Sequence, residues 1–372
     1  MIYLDNAATT FPKPNTVVLE TLECIKSYCA NPGRSSHSLS IRTAEKIFDT
    51  REKIAEFLGV LDKSDRVSFT LNASYALNLA IKSTLKKGEH VLISDIEHNS
   101  VVRPVYSLYK AGIIEYGVFD SDAPEKSIKE NLRQNTSCII STLSSNVTGK
   151  KIDLGALSRI AKESGVRLIV DASQLIGHEK IDLAKTPCDV LCAPGHKALF
   201  GIQGAGFIVF NDNVLRDTVI EGGSGNNSLS LEMPIALPER FEAGTLPSPA
   251  IISILRGIEF IENVGLTNIG AHIKRLTDAM YERLKTLPSL KIYGCGNGVL
   301  SFNLGKVPSE ELALLLNNDG ICTRAGLHCA PSVHKKLGTL ETGAVRASVS
   351  YFNTMDEVDA LYKSLKAILR VC

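Results

Sequence analysis

Between residues 66 and 210 the chain alternates short β-branched apolar runs with amphipathic stretches, and this alternation restricts the fold more than any other feature. Runs at 67–70, 90–95, 113–119, 138–143, 166–171, 189–193 and 206–210 read as strands, because each is short, apolar and bounded by polar or glycine-containing segments. Helical spacing of apolar residues marks 76–86, 101–111 and 154–164 between them. An earlier helix is expected over 44–58, with Ile47, Phe48, Ile54, Phe57 and Leu58 on its apolar stripe. Strand, helix, strand in succession calls for an α/β fold, a seven-stranded and mostly parallel sheet covered on both faces.

The alternation stops at 221–249, a stretch rich in Gly, Ser, Asn and Pro that reads as a loop region and a junction. A long helical stretch follows over 250–287, broken near Gly265. The tail mixes strands near 291–293, 299–303 and 344–349 with helices near 309–317 and 355–369. Gly294-Cys-Gly-Asn-Gly298 lies between two of these strands and reads as a turn. At roughly 150 residues per domain the length corresponds to about two domains. The expected division is a large domain over 14–250 and a smaller α/β domain made of 1–13 and 251–372.

Lys+Arg 41 against Asp+Glu 40 leaves a net charge of +1 with no long block of one sign, which argues against nucleic acid or an anionic membrane surface as the partner. The apolar runs are strand-sized, well below the roughly 18 residues of a membrane helix. The opening Met-Ile-Tyr-Leu-Asp5 has no basic leader region, so a cytoplasmic location is expected. Nine scattered cysteines, none at zinc-knuckle spacing, are expected to be free thiols with no metal site, Cys188 and Cys192 serving as small core hydrophobes.

No glycine-rich nucleotide fingerprint occurs. Chemistry concentrates instead at Asp171-Ala-Ser-Gln174, closing one strand, and Ala193-Pro-Gly-His196-Lys197, closing the next. Carboxyl ends of strands are where open α/β sheets build ligand sites, so an acid, an amide and a lysine can converge there. A carboxylate for a ring nitrogen and a lysine able to form a Schiff base are what pyridoxal phosphate chemistry requires. Taken singly, Asp171 reads equally as a helix cap and Lys197 as a solvated surface lysine.

A set of segments in order adds a resemblance: Tyr3-Leu-Asp-Asn-Ala-Ala-Thr-Thr10, Glu97-His98, Ser145-Asn146-Val-Thr-Gly149, Asp171-Ala-Ser-Gln174, Gly195-His196-Lys197, Phe241-Glu-Ala-Gly-Thr245, Arg324-Ala-Gly-Leu-His-Cys329 and Arg346-Ala-Ser348. With these the chain resembles, over its whole length, the cysteine desulfurase and selenocysteine lyase family of fold-type-I, class V aminotransferase enzymes. The resemblance implies pyridoxal 5'-phosphate as cofactor. It implies that Lys197 binds it covalently and moves the Cα proton, that Asp171 faces the pyridine nitrogen, that Gln174 meets the phenolic oxygen, and that His98 stacks on the ring and assists proton transfer. Ala73, Ser74 and His196 would hold the phosphate, joined by Thr245 from the second subunit of a homodimer. Arg346 would grip the substrate carboxylate, with Asn146 near both it and the cofactor. Cys329 would take sulfur as a persulfide, its thiol activated beside the cofactor and His328 or His98. The implied reaction converts L-cysteine to L-alanine. L-selenocysteine is the alternative substrate, an aminotransferase or β-lyase of the same fold is the alternative activity, and a sulfur or selenium acceptor protein is a further partner.

Overall fold

A computed structural model describes residues 1–32, 37–211, 214–215, 217–226 and 228–370. The chain opens with β1 (Ile2–Tyr3), α1 (Asn15–Glu23), a π turn over Cys24–Tyr28, and α2 (Ser38–Phe57). The alternating part follows: β2 (Val67–Thr70), α3 (Ala73–Thr84), β3 (Glu89–Ser94), α4 (Asn99–Lys110), β4 (Ile114–Phe119), α5 (Pro124–Asn131), β5 (Thr136–Thr142), α6 (Leu154–Ser164), β6 (Arg167–Asp171), β7 (Val190–Pro194) and β8 (Gly206–Phe210). These strands form a seven-stranded sheet in the order β2-β8-β7-β6-β5-β3-β4. The neighbours from β7 to β4 run parallel, and β8 is antiparallel to both β7 and β2.

The apolar runs form this sheet because both of its faces are covered. Successive side chains of a strand point to opposite faces. Leu92, Ile139, Leu168, Val170 and Leu191 join one core, while Val91, Ile93, Cys138, Ile140, Ile169, Val190 and Cys192 join the other. Helix α6 occupies the expected 154–164. Asp153 accepts hydrogen bonds from the N–H groups of Gly155 and Ala156, and Gly165 closes the helix in the left-handed conformation.

The expected loop region leads to α7 (Ser248–Val264) and α8 (Leu266–Leu284), separated by Gly265 at φ 88°. Then come β9 (Leu290–Gly296), β10 (Val299–Leu304), α9 (Ser309–Asn318), β11 (Ile321–Cys322), α10 (Pro331–Leu337), β12 (Val345–Ser348) and α11 (Met355–Ile368). Strands β12, β10 and β9 make an antiparallel sheet, and β1 returns from the start of the chain to pair in parallel with β11. Strand β9 continues through most of the glycine-rich segment, so the turn is confined to Asn297 and Gly298, both at positive φ.

Helix α2 begins at Ser38 rather than 44, because His37 caps it by accepting from the Ser40 N–H. Helices α1, α5 and α10 were not expected from the pattern. They are short, and for α5 and α10 the readable signal is a proline at the first helical position, Pro124 and Pro331. Cys188 and Cys192 are buried, and the eight described cysteines are free; Cys372 lies outside the described residues. Among the described residues no helix is long and apolar enough to cross a membrane, and no cluster of three His, Cys, Asp or Glu could hold a metal ion.

Candidate active site

The carboxyl ends of β3, β5, β6 and β7 surround a cavity of about 190 Å³. Asn72, Ala73 and Ser74 line it from the N-terminus of α3, His98 and Ser100 from the start of α4, and Thr142, Ser144 and Asn146 from the end of β5. Asp171, Ser173 and Gln174 follow β6, and Pro194, His196 and Lys197 follow β7. The acid, amide and lysine expected to converge therefore do so.

Burial lowers the Lys197 ammonium to about 8, with Arg346 and Arg324 pushing the same way and Asp171 opposing them. An amine so placed gives up its proton far more readily than a surface lysine. Asp171 is 3% exposed and its Oδ1 accepts from the Ser173 N–H at 2.9 Å. Gln174 donates from Nε2 to the Ala7 carbonyl at 3.0 Å, which ties the cavity to the first residues of the chain.

His98 caps α4, its Nδ1 accepting from the Ser100 N–H at 3.1 Å. That bond places the ring proton on Nε2. Burial, then Lys197, lowers this imidazole to about 4, so it is neutral at physiological pH. His196 pairs with the Thr9 hydroxyl at 3.1 Å and is likewise lowered to about 4 by burial, Lys197 and Lys13. In the same cavity the N–H groups of Ala73 and Ser74, which open α3, lack helical partners, which makes that end a seat for an anion. The helix reaches it because β8 carries a glycine beside it: a Cβ at Gly206 would lie 2.7 Å from the Asn72 carbonyl carbon.

Arg346, in the middle of β12, is 1% exposed and does not line the cavity. It donates to Asp5 Oδ1 at 2.6 Å and to the Asn146 carbonyl at 3.0 Å, and its Nε is buried without a partner. Asn146 donates from Nδ2 to the His328 carbonyl at 2.7 Å, so the loop before Cys329 is fastened to the cavity wall. His328 and Cys329 both have left-handed backbones, φ 50° and 57°, a conformation costing non-glycine residues on the order of 1–3 kcal/mol each when strained. The Cys329 carbonyl accepts from the Asn99 N–H at 2.7 Å, next to His98, while its thiol is exposed.

Of the two imidazoles offered as alternatives beside the Cys329 thiol, His328 is 4% exposed and donates from Nε2 to the Ala344 carbonyl at 3.0 Å. Burial, then Arg346, lowers it to about 2. Thr245 is not in this cavity. It lines a second one with Leu71, Tyr75 and Val219.

Sequence reasoning assigned no role to three ionisable groups around the site. Lys13 donates to the His196 carbonyl and to Thr10 Oγ1, both at 2.8 Å, and burial lowers it to about 7. Asp5 holds Arg346. Glu97 is fully buried, accepts from the Ser94 hydroxyl and the Thr142 N–H, and is raised by burial to about 8, so it keeps its proton at neutral pH. The motifs contain Asp5 and Glu97, but burial is a property of the assembled fold.

Fold and site together define an α/β enzyme of the fold-type-I kind, with a lysine-centred cavity at the carboxyl ends of its parallel strands. The chain belongs to the class-V aminotransferase family, whose sequence profile (Aminotransferase class-V) matches residues 2–361. It is 34% identical to a protein of Methanothermobacter thermautotrophicus named probable cysteine desulfurase, over 99% of this chain and 94% of that one. Identity to a cysteine desulfurase of Escherichia coli is 28%, over 100% and 94%. The solved apo structure of a cysteine desulfurase from Thermococcus onnurineus NA1 superposes with a TM-score of 0.90 at 29% identity, covering 100% of this chain and 95% of that one.

Proposed function

We propose that the chain is a cysteine desulfurase that uses pyridoxal 5'-phosphate, converting L-cysteine to L-alanine and keeping the sulfur as a persulfide on Cys329. The observation that carries this reading is Lys197, lowered to about 8 in one cavity with Asp171, Gln174 and a helix N-terminus, in a chain whose full-length relatives bear that name. The donor set fits the cofactor. Ala73 and Ser74 open α3 and His196 stands beside them for a phosphate, Asp171 is a buried carboxylate for a ring nitrogen, Gln174 an amide for a ring oxygen, and His98 a neutral ring for stacking. Bound there, pyridoxal phosphate supplies an electron sink beside the substrate's α-carbon.

Lys197 would hold the cofactor through its unprotonated amine, and the same amine, free when substrate is bound, would take the proton from Cα and return it. Arg346 orients the substrate through its carboxylate, kept in place by Asp5 and the Asn146 carbonyl, with Asn146 lying between the two groups. The Cys329 thiolate attacks the substrate sulfur. The S–S bond forms as the Cβ–S bond breaks, and the electron pair left on carbon is protonated on the way to alanine. The C–Se bond is weaker than C–S, so in this reading L-selenocysteine is the second substrate: selenium comes off as Se(0) while the Cβ–Se electron pair stays on carbon and is protonated, and no acceptor at Cys329 is required.

We divide the chain into a large domain over 14–250 and a smaller one over 1–13 and 251–372, a reading supported by the seven strands of the large sheet all falling in the first and those of the two smaller sheets in the second. The homodimer reading rests on Thr245, which faces a different cavity from the one its hydroxyl would serve, beside Leu71 and Tyr75, each 48% exposed. In a dimer, Thr245 of the partner subunit completes the phosphate seat. A cytoplasmic enzyme passing the persulfide to an acceptor protein completes the reading. The test is product analysis with L-cysteine and no keto acid. Alanine and sulfane sulfur in equal amounts support it, and alanine that appears only with a keto-acid partner makes the protein an aminotransferase.

A further inference from the structure

The glycine-rich segment 294–298 is more than a turn. Its strand, β9, lies directly on the 144–149 loop that forms one wall of the cavity. A Cβ at Gly294 would come within 2.5 Å of Thr148, and one at Gly149 would stand 1.8 Å from the Gly296 carbonyl oxygen, so only glycines allow this approach. Ser301, across the hairpin, donates to the Val147 carbonyl at 2.5 Å.

At the hairpin tip Asn297 has φ 44°, a left-handed conformation that asparagine tolerates. Glycine would serve the turn as well. What asparagine adds is its carboxamide, and every polar atom of that group is used. Nδ2 donates to the Gln174 carbonyl at 2.6 Å and to the Ser144 hydroxyl at 3.0 Å, while Oδ1 takes the Nδ1 proton of His178 at 3.2 Å. With both hydrogens and the oxygen committed, the group has one orientation. Gln174 and Ser144 line the candidate active site, and a smaller cavity behind Lys197 is lined by Gln174, His178 and Asn297 together.

We propose that Asn297 is a positioning residue of the active site, fixing the main chain of Gln174 and the hydroxyl of Ser144 from outside the cavity and thereby setting how the Gln174 carboxamide meets the cofactor's ring oxygen. This rests on the pyridoxal phosphate reading above. Gln174 is anchored at both ends: its side chain reaches Ala7 and its carbonyl is held by Asn297. Loss of the second anchor frees the main chain that carries the amide, while the hairpin keeps its seat through the glycine contacts and Ser301.

Two variants test the role. Asn297→Gly keeps the left-handed turn and removes the carboxamide, and Asn297→Asp keeps its shape while replacing the donor with an acceptor that repels the Gln174 carbonyl. Equilibrium dialysis against pyridoxal phosphate, the pH midpoint of the bound cofactor's visible band, and thermal melting of the cofactor-free full chain are measured for parent and variants. Both variants should bind the cofactor roughly tenfold more weakly, the scale of the lost contact to the Gln174 carbonyl, and shift the midpoint, whatever melting loses with the other bonds of the carboxamide. Parent-like affinity and midpoint would remove Asn297 from the site. Weaker binding matched by a fall in melting, with no midpoint shift, would reduce it to a structural residue. A parent chain that binds no pyridoxal phosphate overturns the cofactor reading and this inference with it.

Discussion

Asp5 and Arg346 meet at 2.6 Å across 341 positions of sequence. The pair is where the first residues of the chain lock onto β12, and Asp5 also bridges to Ser348. A guanidinium so deeply buried is stable only with its carboxylate, since breaking a buried pair typically costs about 3–5 kcal/mol. Asp5 thus keeps Arg346, the group we propose for substrate recognition, charged and oriented before any substrate arrives.

Arg346→Lys should weaken L-cysteine binding by about 1.5–3 kcal/mol, the worth of a hydrogen bond to a charged group, while cofactor content stays normal. Saturation curves for the variant and its parent decide the matter. Superimposable curves would take Arg346 out of substrate recognition.

Lys197 should make the cofactor-free chain less stable at neutral pH. Its folded value, about 8, lies below the ordinary 10.5, so below pH 8 both states are protonated and the folded state bears the cost of burying the charge. The cost disappears as pH rises from about 8 toward 10.5, where the folded amine is neutral and the unfolded one still charged. Lys197→Met should therefore raise the stability of the cofactor-free chain at pH 7, by on the order of 3 kcal/mol, and by little at pH 10.5, while abolishing turnover. Melting curves at both pH values give the answer; equal gains at the two would refute the linkage.

Cys329→Ala should lose nearly all alanine formation from L-cysteine, retain a substantial part from L-selenocysteine, and leave the cofactor's colour unchanged. Mass mapping after brief exposure of the parent to L-cysteine should find the extra sulfur on Cys329. Sulfur chiefly on Cys322 would reassign the carrier.

Gly206→Ala should place a methyl group 2.7 Å from the Asn72 backbone and displace the start of α3. A loss of about 1–3 kcal/mol in stability is expected from such overpacking, together with weaker cofactor retention. Full retention in dialysis would show that the α3 N-terminus does not hold the phosphate.

The central strands were legible because burial on both faces leaves them as plain apolar runs; the 206–210 run is β8 to the residue, and α6 is marked by both an Asp cap and a Gly stop. The cluster of Asp171, Gln174 and Lys197 was legible for the same reason, each following a strand that could be read. Contacts between distant segments were not. Nothing in the spacing of Asn297 points to Gln174, and the environment that neutralises His328 consists of Arg346, His334 and burial, none visible beside it in sequence. Helix α1 carries exposed Val18, Leu19 and Leu22, so its apolar residues do not form the single stripe by which helices are read.

The return of β1 to β11 sets a schedule for biosynthesis. Residues 2–10 supply the Ala7 carbonyl to Gln174, hydroxyls to His196 and Lys197, and Asp5 to Arg346, yet their own strand partner, at Ile321 and Cys322, is made near the other end of the chain. At ribosomal speeds the wait between them is on the order of tens of seconds. The seven-stranded sheet and the cavity lining at 72–197 can form meanwhile, but the N-terminal segment that braces Gln174 gains its own anchors on β11 and β12 only once residue 348 has emerged.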